Sequence, residues 1–287
     1  MTKAAFLGLG VMGYPMAGHL AKAGHEIVVY NRSADKAAQW TDEYAGSSAS
    51  DPAAAVEEAA LIFMCLGDDP DVEAVLAKAA PGLAKGAVVV DHTTASPTLA
   101  RRLYADLSEI GVGFVDAPVS GGEAGAKNGK LSVMCGGDDE HVNSARAAME
   151  AYAARIVHVG AAGAGQLCKA VNQICIAGLV QGLSEGVHFA AKAQLDIERV
   201  LEAISGGAAQ SWQMDNRAPT MAADEFDFGF AVDWMRKDLR IALAEARSNG
   251  ARLPVTALVD QFYADIQAMG GGRWDTSSLI RRLSDAD

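Results

Sequence analysis

Short apolar runs separated by segments of helical period fill the first half of the chain. Ala4–Gly8 reads as a strand and Met12–Ala23 as a helix. Glu26–Tyr30 is the next strand and Ala34–Tyr44 the next helix. Leu61–Cys65 and Ala87–Asp91 are apolar runs bounded by turn residues, and Val112–Asp116, Leu131–Cys135 and Ile156–Val159 continue the series. Strand-length runs alternating with helical segments predict βαβ units and a largely parallel, doubly wound sheet of the Rossmann type.

The pattern changes at Gly160–Gly165, a run of glycine and alanine that reads as an interdomain linker. Gln166–Gln194 follows as one long helix, apolar on most sides, which predicts a buried spine or the core of an oligomer interface. Beyond it the pattern gives helices and no convincing strand. Helix starts are marked at Ser211, Asp224 and Pro254. The expected fold is therefore α/β: a Rossmann domain over residues 1–162, then an all-α domain over 163–287 that includes the long interdomain helix.

Composition narrows the partners. With 287 residues, half of them hydrophobic, the chain has core enough for two domains. Its net charge of −12 repels nucleic acid and anionic membrane surfaces, so neither is an expected partner. An anionic substrate would need a local positive patch built against that field. The N-terminal pattern has no signal-peptide form, and no uncharged apolar run of spanning length is evident, so a cytoplasmic location is expected. The four cysteines form no C-x-x-C pair and lack metal-ligand spacing with histidine. They read as buried free thiols, and no metal is expected.

Gly8-Leu9-Gly10-Val11-Met12-Gly13 is G-x-G-x-x-G between a predicted strand and helix, in a unit that returns to a strand at Glu26–Tyr30. In that context it reads as a dinucleotide site. Gly8 permits the tight turn, Gly10 lets backbone approach a pyrophosphate, and Gly13 lets helix and strand pack closely. The helix N-terminus then offers N–H donors and a favourable dipole to phosphate. At the end of the second strand, where NAD sites place a carboxylate, stands Asn31-Arg32-Ser33. Arg32 suits a 2′-phosphate, with Asn31 and Ser33 as hydrogen-bonding neighbours, so NADP(H) is expected over NAD(H), which stays possible. Arginine stacking on adenine would suit either cofactor. Thr94, after a further strand, is placed on the nicotinamide side. His92 beside it reads as structural in preference to a catalytic base.

Ser120-Gly121-Gly122 follows another strand and offers one hydroxyl and backbone N–H groups to a carboxylate. Lys169 stands in an otherwise apolar helix with Asn172 and Gln173 at i+3 and i+4. Burial there would lower its pKa and suit it to acid/base work on a hydroxyl or carbonyl. An interdomain ion pair would account for a buried lysine equally well. Lys237 reads either as a second cation toward the cofactor or as part of a solvated helix face. Trp212 and Trp274 are candidate pocket walls, and Phe226, Phe228 and Phe230 candidate core.

FLGLGVMGYPMA at 6–17, DAPVSGG at 116–122, GAGQLCKAVNQ at 163–173 and KDL at 237–239, in that order, resemble the β-hydroxyacid dehydrogenase family. That family includes 3-hydroxyisobutyrate dehydrogenase, tartronate semialdehyde reductase and glyoxylate/succinic semialdehyde reductase. The resemblance implies hydride transfer between a nicotinamide cofactor and a small β-hydroxy acid or its semialdehyde. It assigns Lys169 as catalytic acid/base, Ser120, Gly121 and Gly122 to the substrate carboxylate, and Asn172 and Gln173 to lysine orientation or substrate. It also places Lys237 near the cofactor and implies a homodimer or homotetramer. The family's NAD-dependent members carry Asp where this chain has Asn31, which leaves open an NADPH-dependent semialdehyde reductase. A 6-phosphogluconate dehydrogenase, an imine reductase and a non-catalytic dinucleotide-binding module are rival readings of the same motifs. The chain is short for the first, and Lys169 argues against the second and third.

Overall fold

The computed structural model describes residues 2–284. The chain divides into two compact units, one ending at Lys169 and the other beginning at Ala170.

The first unit runs β1 (Lys3–Leu7), α1 (Gly13–Lys22), β2 (Glu26–Tyr30), α2 (Ala34–Glu43), β3 (Ser47–Ser48), α3 (Pro52–Val56), β4 (Leu61–Met64), α4 (Asp69–Ala79) and β5 (Val88–Asp91). It continues with α5 (Pro97–Glu109), β6 (Gly113–Asp116), β7 (Val119–Ser120), α6 (Gly122–Lys127), β8 (Leu131–Gly137), α7 (Asp139–Met149), β9 (Ala153–Gly160) and the start of α8 (Ala164–Lys192). The sheet order is β3-β2-β1-β4-β5-β6-β8-β7, with β9 on β8. Strands β3 to β6 are parallel, as the alternating pattern requires. The β6–β8 and β7–β8 pairs are antiparallel, a reversal that the apolar runs at Val112–Asp116 and Leu131–Cys135 do not signal.

Strand period explains why both faces are apolar. Ala4 and Phe6 join one core cluster, and Ala5 and Leu7 join the other. A parallel sheet covered on both sides reads as a continuous apolar run for this reason. Tyr152, fully buried, holds the first cluster near its end. Its hydroxyl donates to Nε2 of His92 at 2.8 Å, and Nδ1–H of His92 donates to the Ala117 carbonyl at 2.6 Å. The imidazole lies flat against Phe63 and edge-on to Tyr152. Burial lowers its pKa to about 4, so the ring is neutral, and both nitrogens are already engaged. His92 is a structural tie between the ends of β5 and β6.

The second unit takes the rest of α8, then α9 (Ile197–Ile204), α10 (Trp212–Ala222), α11 (Val232–Asn249), α12 (Pro254–Ala268) and α13 (Arg281–Ser284). Its larger core joins Ala177, Val180, Val232, Met235, Leu239, Val259, Tyr263 and Ile266. A smaller one joins Val187, Ala218, Met221, Phe226 and Ile280. Asp275, almost fully buried, pairs with Arg217 at 3.2 Å and accepts from the backbone N–H groups of Phe230 and Ser277. Ser211 caps α10 and Pro254 opens α12, as expected.

Three sequence expectations need correction. Asp224 starts no helix: it has φ 57°, follows the end of α10 and ion-pairs with Arg281, while α11 begins at Val232 without a side-chain cap. The Gly160–Gly165 run is no slack linker, because Gly163 and Gly165 are buried in the tightly bonded entry to α8. The long helix exposes Val171, Leu179 and Phe189, Phe189 by 71%, which the interface reading of this helix allows. An 18-residue stretch of it has a mean hydropathy of 1.3, so by length and composition alone the helix is apolar enough to cross a membrane. Its buried residues Ala177, Val180 and Val187 place it in the cores of the helical unit. Cys175 on the same helix is exposed, and Cys65 and Cys168 are partly so, leaving Cys135 as the buried free thiol.

The depressed His92 pKa gives a pH test. Between about 6.5 and 4 the unfolded chain binds a proton that the native chain refuses, so stability supplied by neutral His92 is complete above pH 6.5 and falls with acidification. In urea unfolding, the stability margin of wild type over His92→Gln should shrink by about 2 kcal/mol from pH 7 to pH 5. A constant margin contradicts the assignment.

Candidate active site

The carboxyl ends of the parallel strands collect the chemistry in the first unit, as expected of a doubly wound sheet. The β1–α1 turn shows the division of labour among its glycines. Gly8 has φ +103°, and a Cβ there would strike the Cys65 carbonyl. A Cβ on Gly13 would strike the Gly8 carbonyl and Phe6. A Cβ on Gly10 would meet nothing within 4 Å, so this backbone faces open space that a ligand can approach. Leu9 buries its side chain while its N–H donates to Asn31 Oδ1 at 2.9 Å. Val11 is exposed and Met12 packs partly against the core. Helix α1 has no side-chain cap and no acidic residue in its first turn. Its N-terminus thus carries no competing side-chain anion, which suits a pyrophosphate. These residues fit a dinucleotide.

After β2, the Asn31 amide is used twice within the protein, on Leu9 N–H and, through Nδ2, on the Ser33 carbonyl at 3.1 Å. Asn31 therefore shapes the turn instead of reaching outward. Arg32 and Ser33 are exposed, and Ser33 occupies the N-cap of α2 without making the side-chain cap bond. The first acidic side chain after β2 is Asp35, in the opening turn of α2.

At the ends of β4 and β5, Leu66 N–H donates to Thr93 Oγ1 at 2.9 Å, leaving Thr94 half-buried beside it. The turn after β6 is pinned on several sides. Ala117 N–H donates to the Asp91 carbonyl at 2.7 Å, its carbonyl accepts from His92, and the Pro118 carbonyl accepts from Met134 N–H. Beyond it, Ser120 is half-buried, while Gly121 (φ +129°) and Gly122 (φ +61°) are exposed and turn the chain into α6. His19 of α1 donates to the carbonyl of Ala126 in α6 at 3.0 Å, so the glycine turn's helix and the Ser-Gly-Gly turn's helix are tied together.

Lys169 is 8% exposed, one turn beyond Gln166 on α8. Gln166 is locked: its amide donates to the Thr93 carbonyl at 2.8 Å and accepts from Ala95 N–H at 3.1 Å. Asp116, the last residue of β6, accepts from Gly163 N–H at 2.8 Å through one oxygen and from Gln166 N–H at 2.9 Å through the other. Burial pushes this carboxyl up to about 6, against the pull of those backbone donors. Sequence pattern singles out neither Asp116 nor Gln166. Their spacing carries no signal, because the contact joins residues 47 to 50 positions apart.

In the second unit, Asn172 donates to Gln173 Oε1 at 2.8 Å, and Gln173 donates to Asp238 Oδ2 at 2.6 Å. Asp238 is buried and pairs with Lys237 at 3.3 Å. Lys237 also lies over the Trp234 ring, its side chain only 10% exposed, so it is not a solvated surface lysine. Gln173 is buried with its amide committed to Asp238, while Asn172 stays half-exposed. Trp212 is more than half exposed with Arg217 against its ring, and Trp274 is half-buried against Arg281. No cluster of His, Cys, Asp or Glu suited to a metal occurs among the described residues.

Comparison with known proteins agrees with this layout. Residues 3–160 match the family model for the NAD-binding domain of 6-phosphogluconate dehydrogenase, and residues 163–283 match that for the NAD-binding domain of NADP-dependent 3-hydroxyisobutyrate dehydrogenase. An uncharacterized oxidoreductase of Shewanella frigidimarina is 56% identical, over 99% of this chain and 98% of its own length. The 2-hydroxy-3-oxopropionate reductase of Escherichia coli is 37% identical, over 98% and 97% respectively. The structure of Mycobacterium tuberculosis 3-hydroxyisobutyrate dehydrogenase with L-serine superposes with a TM-score of 0.90 at 30% identity, over 99% of both chains.

The glycines predict two different phenotypes. Gly10→Ala should fold with a near-normal melting temperature yet lose nucleotide affinity about tenfold or more, measured by fluorescence titration with NADPH. Gly13→Ala should lower the melting temperature by several degrees, because the new methyl meets backbone. The reverse pattern would contradict the assignment of roles within the turn.

Proposed function

The chain belongs to the β-hydroxyacid dehydrogenase family, as a nicotinamide-dependent oxidoreductase acting on CH–OH donors, and we propose that it works as an NADP(H)-preferring enzyme on a short hydroxy acid or its semialdehyde. The observation that carries the cofactor preference is the end of β2. Asn31 is consumed internally, no carboxylate stands there, and Arg32 and Ser33 are free to meet a 2′-phosphate at an uncapped helix start. The 37% identity to 2-hydroxy-3-oxopropionate reductase supports a semialdehyde acid as the substrate class.

When bound, the nicotinamide supplies or accepts the hydride. The chain's own residues do the rest. Ser120 Oγ and the N–H groups of the Gly121-Gly122 turn hold the substrate carboxylate. Lys169 Nζ gives its proton to the carbonyl oxygen in reduction and takes it back from the hydroxyl in oxidation. Its charge stabilises the developing alkoxide. Asn172 orients the lysine or the substrate. Gln173 acts through its bond to Asp238, and Lys237, held by the same carboxylate, adds positive charge on the cofactor side. Thr94 lies on the nicotinamide side. In a chain of net charge −12, Arg32, Lys169 and Lys237 are the cations proposed to meet an anionic substrate and cofactor. The exposed apolar residues of α8, Val171, Leu179 and Phe189, support a homodimer or homotetramer with this helix in the interface. The net charge of −12 disfavours nucleic acid and anionic membrane surfaces as partners.

Lys169→Ala should lower kcat by a factor of about 100 to 10,000 while NADPH still binds. Near-normal turnover would remove the lysine from its role. Arg32→Ala should raise the KM for NADPH about 10- to 100-fold and leave that for NADH almost unchanged. An equal effect on both cofactors would show that Arg32 stacks on adenine instead of holding phosphate.

A further inference from the structure

Asp116 has two attachments that diverge. Its backbone ends β6 and leads, through the pinned Ala117-Pro118 turn, to the Ser120–Gly122 cradle four residues on. Its side chain points the other way and grips the entry to α8. One oxygen takes the Gly163 N–H and the other takes the Gln166 N–H, so a single carboxylate spans the whole first turn of the helix. Both glycines that flank it are required for the fit. A Cβ on Gly136 would lie 2.5 Å from Asp116 Oδ1, and a Cβ on Gly165 would lie 2.5 Å from the Asp116 carbonyl. The residue is 0% exposed, so the grip operates where water does not compete. Gln166, held by Asp116 through its backbone, is held by Thr93 and Ala95 through its side chain, and Lys169 follows it by three residues.

We propose that Asp116 is a positioning residue for the reaction, its carboxylate fixing the first turn of α8, and with it Lys169, to the end of β6, four residues ahead of the Ser120–Gly122 turn. The inference rests on Lys169 being the proton donor. The substrate is held by one end of the Asp116 segment and protonated from the element that its side chain holds. A carboxylate bonded to two N–H groups at a helix N-terminus allows the helix neither to slide nor to turn. A general acid needs its proton within hydrogen-bond reach of the reacting oxygen, and a displacement of about 1 Å lowers the rate about a hundredfold. Asn at position 116 keeps one acceptor but turns an N–H₂ group toward the other backbone N–H, which releases one side of the grip.

A double-mutant cycle separates positioning from simple stabilisation. Wild type, Asp116→Asn, Lys169→Ala and the double variant are assayed with a short semialdehyde acid and NADPH, below the melting temperature of all four. Asp116→Asn should lower kcat about a hundredfold with the KM for NADPH unchanged. The double variant should be no slower than Lys169→Ala alone, within about twofold, because no lysine remains to be misplaced. Wild-type kcat in Asp116→Asn, or a double variant slower by the full product of the two effects, overturns the proposal and leaves the lysine assignment standing. Substantial turnover in Lys169→Ala removes the lysine assignment and the proposal with it. If Asp116→Asn does not fold, Asp116→Ser, whose hydroxyl leaves a smaller acceptor in the same space, takes its place in the cycle and is read by the same criteria.

Discussion

The site depends on where a buried carboxylate puts the start of a helix. The four leading N–H groups of any helix need partners, and α8 finds two of them on Asp116, from a different strand of the sheet. That bond decides which turn of α8 is held against the strand ends, and so which residues of the helix the first unit contains. The division between the units falls after Lys169, inside the helix, and not at the glycine run where the pattern changes. Gly136 and Gly165 are small because Asp116 occupies the space that their side chains would fill, and a Cβ on Gly163 would crowd Arg101 and the Pro97 carbonyl. Asp116 also stands in unfavourable surroundings for a charge, with its carboxyl pushed up to about 6 by burial. A costly group kept at a strand end, beside a catalytic candidate, is where local preference gives way to function.

The same economy governs the dinucleotide turn. The three glycines there differ, since a Cβ on Gly8 or Gly13 would strike neighbouring backbone while a Cβ on Gly10 would meet nothing within 4 Å. Asn31 links that turn to the end of β2, so a single side chain ties the two segments together. The tie from His19 to α6 extends the arrangement to the Ser-Gly-Gly turn. The His92–Tyr152 pair secures the same region from within the core.

Much of this was legible in the sequence, for a physical reason in each case. Strand and helix periods gave the sheet, and Glu26–Tyr30 falls where the alternation puts it. The G-x-G-x-x-G spacing is a rule about backbone clearance, so it survives without knowledge of side-chain contacts. Lys169 stood out because a cation in an apolar helix is costly. What stayed hidden are bonds between distant positions. Asp116 to Gly163, Tyr152 to His92 and Gln173 to Asp238 leave no local pattern. The reading of Asp224 as a helix start failed because an acidic residue ahead of an apolar run suits a helix end in left-handed backbone equally well. The Gly160–Gly165 run misled for the opposite reason: small residues signal either slack chain or close packing, and here they signal packing. The antiparallel β6–β8 pairing is a matter of connection, which periodicity does not encode.

For catalysis, hydride and proton must reach the same carbonyl group. NADPH carrying deuterium at the transferring position of C4, incubated with tartronate, succinic and methylmalonate semialdehydes in turn, tests it directly by mass spectrometry of the products. One deuterium is expected on the new carbinol carbon of at least one hydroxy acid. Tight binding of NADPH with no labelled hydroxy acid from any of the three would contradict it, and would make the chain a nucleotide-binding protein that does not use its lysine for catalysis.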